Sequence, residues 1–152
     1  MAKRREADQC EIIVCRAGNE HVGFFKDSIE EVVMIAKMAA LPETPPWFAG
    51  VLTLRGDPIP VIDLLARIER RERKTSTSDL ILVCQSDKRR VGLIVQEVHE
   101  IAEISSDAIL DPPAEIPHAQ YLIGIVTTEE NTIQLFSISR LVSLSDLPED
   151  IE

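Results

Sequence analysis

The chain repeats itself, and the repeat limits its folds more than any other feature. The segment "VCRAGNEHVGFFKDSIEEV", residues 14–32, aligns without gaps to "VCQSDKRRVGLIVQEVHEI", residues 83–101. Val14-Cys15 answers Val83-Cys84, Gly23 falls on Gly92, Ile29 on Val98 and Glu31 on Glu100. A second match sets "WFAGVLTLRGDPIPVIDLL" (47–65) against "YLIGIVTTEENTIQLFSIS" (121–139), with Gly50 on Gly124, Thr53 on Thr127, Ile59 on Ile133 and Val61 on Leu135. Self-similarity of this kind marks one structural unit used twice. Neither copy is large enough to bury a stable core alone, so the two should pack on one another.

The unit is built of strands. "EIIVCR", "GVLTL", "IPVIDLL", "DLILVCQ", "VGLIVQEV", "YLIGIVTT" and "TIQLFSI" are short runs rich in Ile, Val and Leu. They are separated by turn compositions such as "AGNE", "QSDKRR" and "EENT", a spacing that predicts a β-rich sandwich or barrel. "LPETPPW" and "LDPPAEIPHAQ" are loops, since proline interrupts both helix and interior strand. In "DSIEEVVMIAKMAAL" the caps Asp27 and Ser28, with Glu30 and Glu31 in a first turn, predict a short helix near Ser28 to Val32 and extended chain after it. The β-branched "EVVMI" suits a strand equally well.

Within "GVLTLRGDPIPVIDLL" two strands flank a predicted four-residue turn of Arg55, Gly56, Asp57 and Pro58. The apolar positions around this turn recur in the second copy, but "RGDP" is replaced there by "EENT". Both satisfy a turn, so Arg55 is not required for chain reversal and is free to be read by a partner. Asp63 is expected at the solvent face of its strand or bonded to a neighbouring backbone amide. The alternating charges of "RIERRERK", leading into "TSTS", predict a solvated, mobile linker.

Composition narrows the function. The formal charge of -10 repels phosphate backbones and anionic lipid, which argues against a nucleic-acid partner. No stretch approaches the roughly 20 apolar residues of a membrane helix, so a cytoplasmic protein without membrane insertion is expected. Cys10, Cys15 and Cys84 form no C-x-x-C pair and fit a reducing compartment; Cys15 and Cys84 end apolar runs and are read as core. His21, His99 and His118 lack partners at metal-ligand spacing. There is no G-x-S-x-G and no glycine-rich phosphate loop, so neither cofactor, metal nor catalysis is expected. The alternative is a small β-barrel enzyme or ligand-binding protein whose site is assembled from distant residues.

Beyond these general readings, "FAGVLTLRGDPIPVIDL" resembles the signature hairpin of the CheW-like chemotaxis coupling proteins. "PETPPWFAG" resembles the proline-rich approach to that hairpin, and "RRVGLIVQEVHEI" and "YLIGIVTTEENTIQLFSISRLV" are similar to the family's later strands. The similarity runs from about Glu11 to Ser143. It implies one domain over residues 9–146, made of two similar five-stranded β-barrels packed face to face. The halves would cover roughly 9–66 and 79–146, with strand exchange between them allowed and flexible termini at 1–8 and 147–152. It also implies a non-catalytic adaptor that couples the cytoplasmic tip of a chemoreceptor to the regulatory domain of a CheA-type histidine kinase. A groove between the barrels would be lined by Ile29, Glu31, Arg55, Leu80 and Ile101. The chain departs from the family pattern at Thr53, at Leu65, in "LFSIS" and in the basic stretch from Arg67 to Asp79.

Overall fold

The computed structural model describes residues 8–70, 73–86 and 89–142. The first copy of the repeat supplies β1 (Gln9–Ala17), β2 (Glu20–Phe25), β3 (Ile29–Met34), β4 (Phe48–Leu54), β5 (Asp57–Asp63) and the helix α1 (Leu64–Glu69). The second supplies β6 (Leu80–Ser86), β7 (Arg89–Val95), β8 (Glu97–Ser105), β9 (Leu122–Thr127), β10 (Thr132–Phe136) and α2 (Ile138–Leu141). The fold is mainly β, in two five-stranded sheets. One has the order β8-β1-β2-β10-β9 and the other β3-β6-β7-β5-β4.

Those two orders are the same order with the copies exchanged. In each sheet the first two strands of one copy sit among the last three of the other. The register is exchanged as well: Gly23 lies beside Leu135 in the parallel pairing of β2 with β10, and its repeat partner Gly92 lies beside Val61 in the pairing of β7 with β5. Positions that match in sequence thus meet their counterparts' neighbours in space.

Exchange explains why the strands are apolar in runs. Ile12 to Cys15 and Ile81 to Cys84 are buried without alternation, because both faces of these strands are covered. Ile13, Cys15, Val22, Phe24, Ile62, Leu82, Cys84, Leu93 and Phe136 belong to a large core between the sheets. The opposite faces close on smaller cores, Ile12, Val14, Ile133 and Leu135 in one sheet and Ile59, Val61, Ile81 and Val83 in the other. Each large aliphatic buried in this way contributes about 1.5–3 kcal/mol.

Each sheet curls toward a barrel but is not a closed ladder. In each, the segment that follows one edge strand bridges to the other edge strand, Ala39 after β3 with Val51 of β4 in the second sheet and Leu110 after β8 with Ile125 of β9 in the first. The backbones exchange hydrogen bonds of 2.8–2.9 Å there. The approach leaves no room for a side chain on the preceding residue. A Cβ on Gly50 would lie 3.0 Å from the Ala39 oxygen, and one on Gly124 2.6 Å from the Leu110 oxygen. Gly50 also has φ +146°. The repeat-matched glycines therefore mark where each curled sheet meets itself.

Three local expectations are corrected. The predicted helix near Ser28 to Val32 is the strand β3, preceded by a single 3-10 turn at Lys26–Ser28. Pairing with β6 overrides the weak helical capping signal, and the β-branched residues fit that pairing. The turn at Arg55 is a two-residue hairpin, since β4 ends at Leu54 and β5 starts at Asp57. The linker after β5 is not simply solvated. Arg67 packs 4.1 Å from the centre of the Trp47 ring and donates to the Leu141 carbonyl. Arg71 and Glu72 within that linker, and the termini 1–7 and 147–152, lie outside the described residues.

Arg73 is the linker's anchor. It donates to Asp63 at 2.9 Å and to Asp79 at 3.0 Å, joining the end of β5 to the residue before β6. Of the two places expected for Asp63 the structure shows the second: it is buried, not solvent-facing, and accepts from the Ala66 amide to cap α1. Burial opposes the charge on Arg73, but hydrogen bonds to Asp63 and Asp79 outweigh it and raise its pKa.

Two outcomes follow for stability. Arg73→Ala leaves two buried carboxylates without their cation and should cost about 3 kcal/mol in urea unfolding. Gly124→Ala forces the 109–110 segment off β9 and should cost roughly 1–3 kcal/mol by the same measurement. Full stability in either variant would remove the corresponding tie from this account.

Candidate functional site

Arg55 occupies a backbone position that an arginine does not favour. Its φ of +50° and the +87° of Gly56 are the left-handed pair of a type I′ turn, where Asn-Gly is the preferred sequence. A side chain with a Cβ is strained in that region, so the turn gains nothing from arginine. What the position offers is reach. The Arg55 guanidinium forms a hydrogen-bonded ion pair with Glu31, leaving the arginine mostly exposed and the glutamate partly covered. The bond to Glu31 strengthens the charged form and raises the Arg55 pKa.

Glu31 lies on β3 just after a bulge, opposite Val83 of β6. Because β3 and β4 are the two edges of their sheet, the pair crosses the open seam at its rim. Further acidic and basic groups complete the rim. Arg90 on β7 donates from Nε to Glu30 at 3.1 Å and from Nη1 to Asp57 at 2.8 Å. The three carboxylates and two guanidiniums alternate in sign, and all are at least partly open to solvent.

Of the five residues expected to line a groove, Arg55 and Glu31 are joined by an ion pair. Ile29, opposite Cys84, and Leu80, opposite Val95, are half-buried against the core between the sheets. Ile101 belongs to the other sheet. It lies on the edge strand β8 opposite Ile13 and is 51% exposed. Its repeat counterpart is Val32, also an exposed aliphatic on an edge strand, and Met34 beyond it is 72% exposed. Sequence reading missed Val32 and Met34, although the repeat alignment pairs Val32 with Ile101. It also missed Arg90, Glu30 and Asp57, for which only the three-dimensional meeting of β3, β5 and β7 gives a signal.

No chemistry of transfer gathers around these groups. The most shifted thiols are core residues: burial pushes Cys15 up to about 12, and burial with the nearby Cys15 raises Cys84 further. Glu97, held down to about 2 by hydrogen bonds from Arg16 and then His99, sits on the surface at the start of β8. A cleft of about 340 Å³ between the end of α1 and the 117–121 turn is lined by Ile68, Arg70, His118 and Tyr121, apart from Arg55. Among the described residues no group of three or more His, Cys, Asp or Glu side chains is arranged to hold a metal ion, and no helix is long and apolar enough to cross a membrane.

Known proteins share this fold. The chain is 30% identical over 136 residues to a probable chemotaxis protein CheW of Rhizobium etli, covering 88% of this chain and 87% of that one. It is 27% identical to protein FrzA of Myxococcus xanthus, covering 87% and 84%. The crystal structure of the scaffolding protein TtCheW from Thermoanaerobacter tengcongensis superposes with a TM-score of 0.84 at 27% identity, covering 98% of this chain and 97% of that one. The family model of the CheW-like domain matches residues 7–146. With that match across nearly its whole length, the chain belongs to the CheW-like domain family, whose members are non-catalytic scaffold proteins.

Proposed function

We propose that the protein is a cytoplasmic chemosensory adaptor that binds a chemoreceptor cytoplasmic tip and the regulatory domain of a CheA-type histidine kinase. The family, and relatives named as chemotaxis proteins, support the general role. At the level of residues one observation carries the reading. Arg55 is held in a strained turn and aimed across the seam by Glu31, while its counterpart in the second copy is Glu129. A cation kept where the fold does not need it is there for a contact.

The partly covered apolar residues Ile29 and Leu80 would supply area, and Arg55 with Glu31 would supply register through charge-assisted hydrogen bonds. Ile101 would contribute from the other sheet. An adaptor acts by position: holding two partners at once raises their effective concentration, and differential binding to receptor states transmits the signal. The acidic body, with a formal charge of -10, suits contacts that form and exchange readily with salt.

Calorimetric titration of a receptor cytoplasmic tip into wild type and Arg55→Asn tests this. Asparagine suits the left-handed turn, so the variant should melt at the wild-type temperature or above it. Its affinity should fall by at least about tenfold, or roughly 1.4 kcal/mol. Equal affinity in the two proteins would return Arg55 to an ordinary turn cation; no binding by either would overturn the receptor assignment.

A further inference from the structure

We infer that Arg90 is a positioning residue for the Arg55–Glu31 pair, so that the recognition surface is a five-residue charged rim rather than one ion pair. The inference rests on the adaptor reading for its functional meaning and on geometry for its physical content. Arg90 does not touch Arg55 in the ion pairs described. It holds the two backbone segments that carry the pair. Glu30, its partner at 3.1 Å, is the residue before Glu31; Asp57, its partner at 2.8 Å, lies two residues beyond Arg55.

The geometry suits that task. β7 lies between β6 and β5 in the sheet, so Arg90 reaches outward across β6 to β3 and inward to the start of β5. A guanidinium can donate in both directions at once from Nε and Nη1, whereas an ammonium is a single point charge. At its tip the hairpin has only a strained two-residue turn, and Gly56 has no neighbour within 4 Å of where a Cβ would stand. Little else restrains the tip in the direction of β3, so the two carboxylates held by Arg90 set where Arg55 can reach.

The other sheet, built from the repeat-matched strands, is an internal control. Arg55, Glu31, Arg90, Glu30 and Asp57 correspond by the repeat to Glu129, Glu100, His21, His99 and Asn131, which belong to the other sheet and its hairpin. The Glu129 and Glu100 counterparts carry like charges and cannot pair. Where Arg90 and Glu30 form an ion pair, His21 and His99 meet as rings, with centroids 5.8 Å apart. The same strand arrangement is thus built without the network, and the whole set has been placed on one sheet only. A set drawn from both copies, present together on one sheet and replaced together on the other, behaves as a unit of function, not as a requirement of the fold.

The test uses the full chain in four forms: wild type, Arg90→Gln, Arg55→Asn and the double variant, with Arg90→Lys as a charge-retaining comparison. Without any partner, NMR should show the Arg55 Nε proton exchanging with water several-fold faster in Arg90→Gln than in wild type, with Arg90→Lys intermediate. Unchanged exchange in folded Arg90→Gln overturns the inference, whatever binding does. Should Arg90→Gln fail to fold, exchange in Arg90→Lys at the wild-type rate overturns it equally. With the receptor tip as titrant, Arg90→Gln should weaken binding roughly fivefold in the wild-type background and by much less when Arg55 is already Asn, the non-additivity expected of coupled residues. Equal losses in both backgrounds would show that Arg90 acts independently of Arg55 and overturn the positioning role. Unaltered binding in Arg55→Asn, with faster exchange in Arg90→Gln, would instead sink the adaptor reading of Arg55 while leaving the clamp in place.

Discussion

Neither copy of the repeat can complete a sheet with its own strands, and the rest of the structure follows from that. A hairpin of β1 and β2 needs β8 on one side and β10 on the other, both from the second copy; β6 and β7 need β3 and β5 from the first. Every central strand therefore has both faces covered, which requires the continuous Ile, Val and Leu runs and supplies one large shared core. The loops and linkers are secondary to this arrangement. Arg73 with Asp63 and Asp79 fixes the crossing from one copy to the next, and Gly50 and Gly124 permit each sheet to curl onto its own edge.

The curling is what creates a site. A flat sheet would hold β3 and β4 at opposite sides, with Glu31 and Arg55 far apart. Curling brings the edges to a seam, and the seam at one rim is spanned by charge. Ion pairs at so exposed a place add little to stability, because water competes for both partners and salt screens them. What they fix is the orientation of the side chains at the rim rather than the stability of the fold.

Much of this was legible in the sequence, because the repeat registers the strands and the hydrophobic runs reveal their two-sided burial. The hairpin "LTLRGDPIPVID" pointed to Arg55 for the same reason: it could be compared with a second copy that lacks it. The failures have physical causes. Residues 28–32 carry good helix caps, and only the edge of β6, far away in the chain, decides for strand. For Asp63 the bond to a neighbouring backbone amide is legible, but not the burial that Arg73, ten residues on, brings by folding back to it. Arg90, Glu30 and Asp57 lie on three different strands, and no spacing in the chain links them. Ile101 lies on the sheet opposite the other four residues named with it, as a lining drawn from both halves would.

Exchange also bears on how the molecule carries force. Two ordinary domains joined by a linker part like beads on a string, and a pull on one is lost in the slack between them. Here the strands of each copy are woven through both sheets, so load applied to one sheet is taken up as shear across hydrogen-bonded ladders in the other. Among the described residues each copy contributes strands to both sheets, so neither sheet can shift as a separate domain. The two sheets are thereby held together as one body.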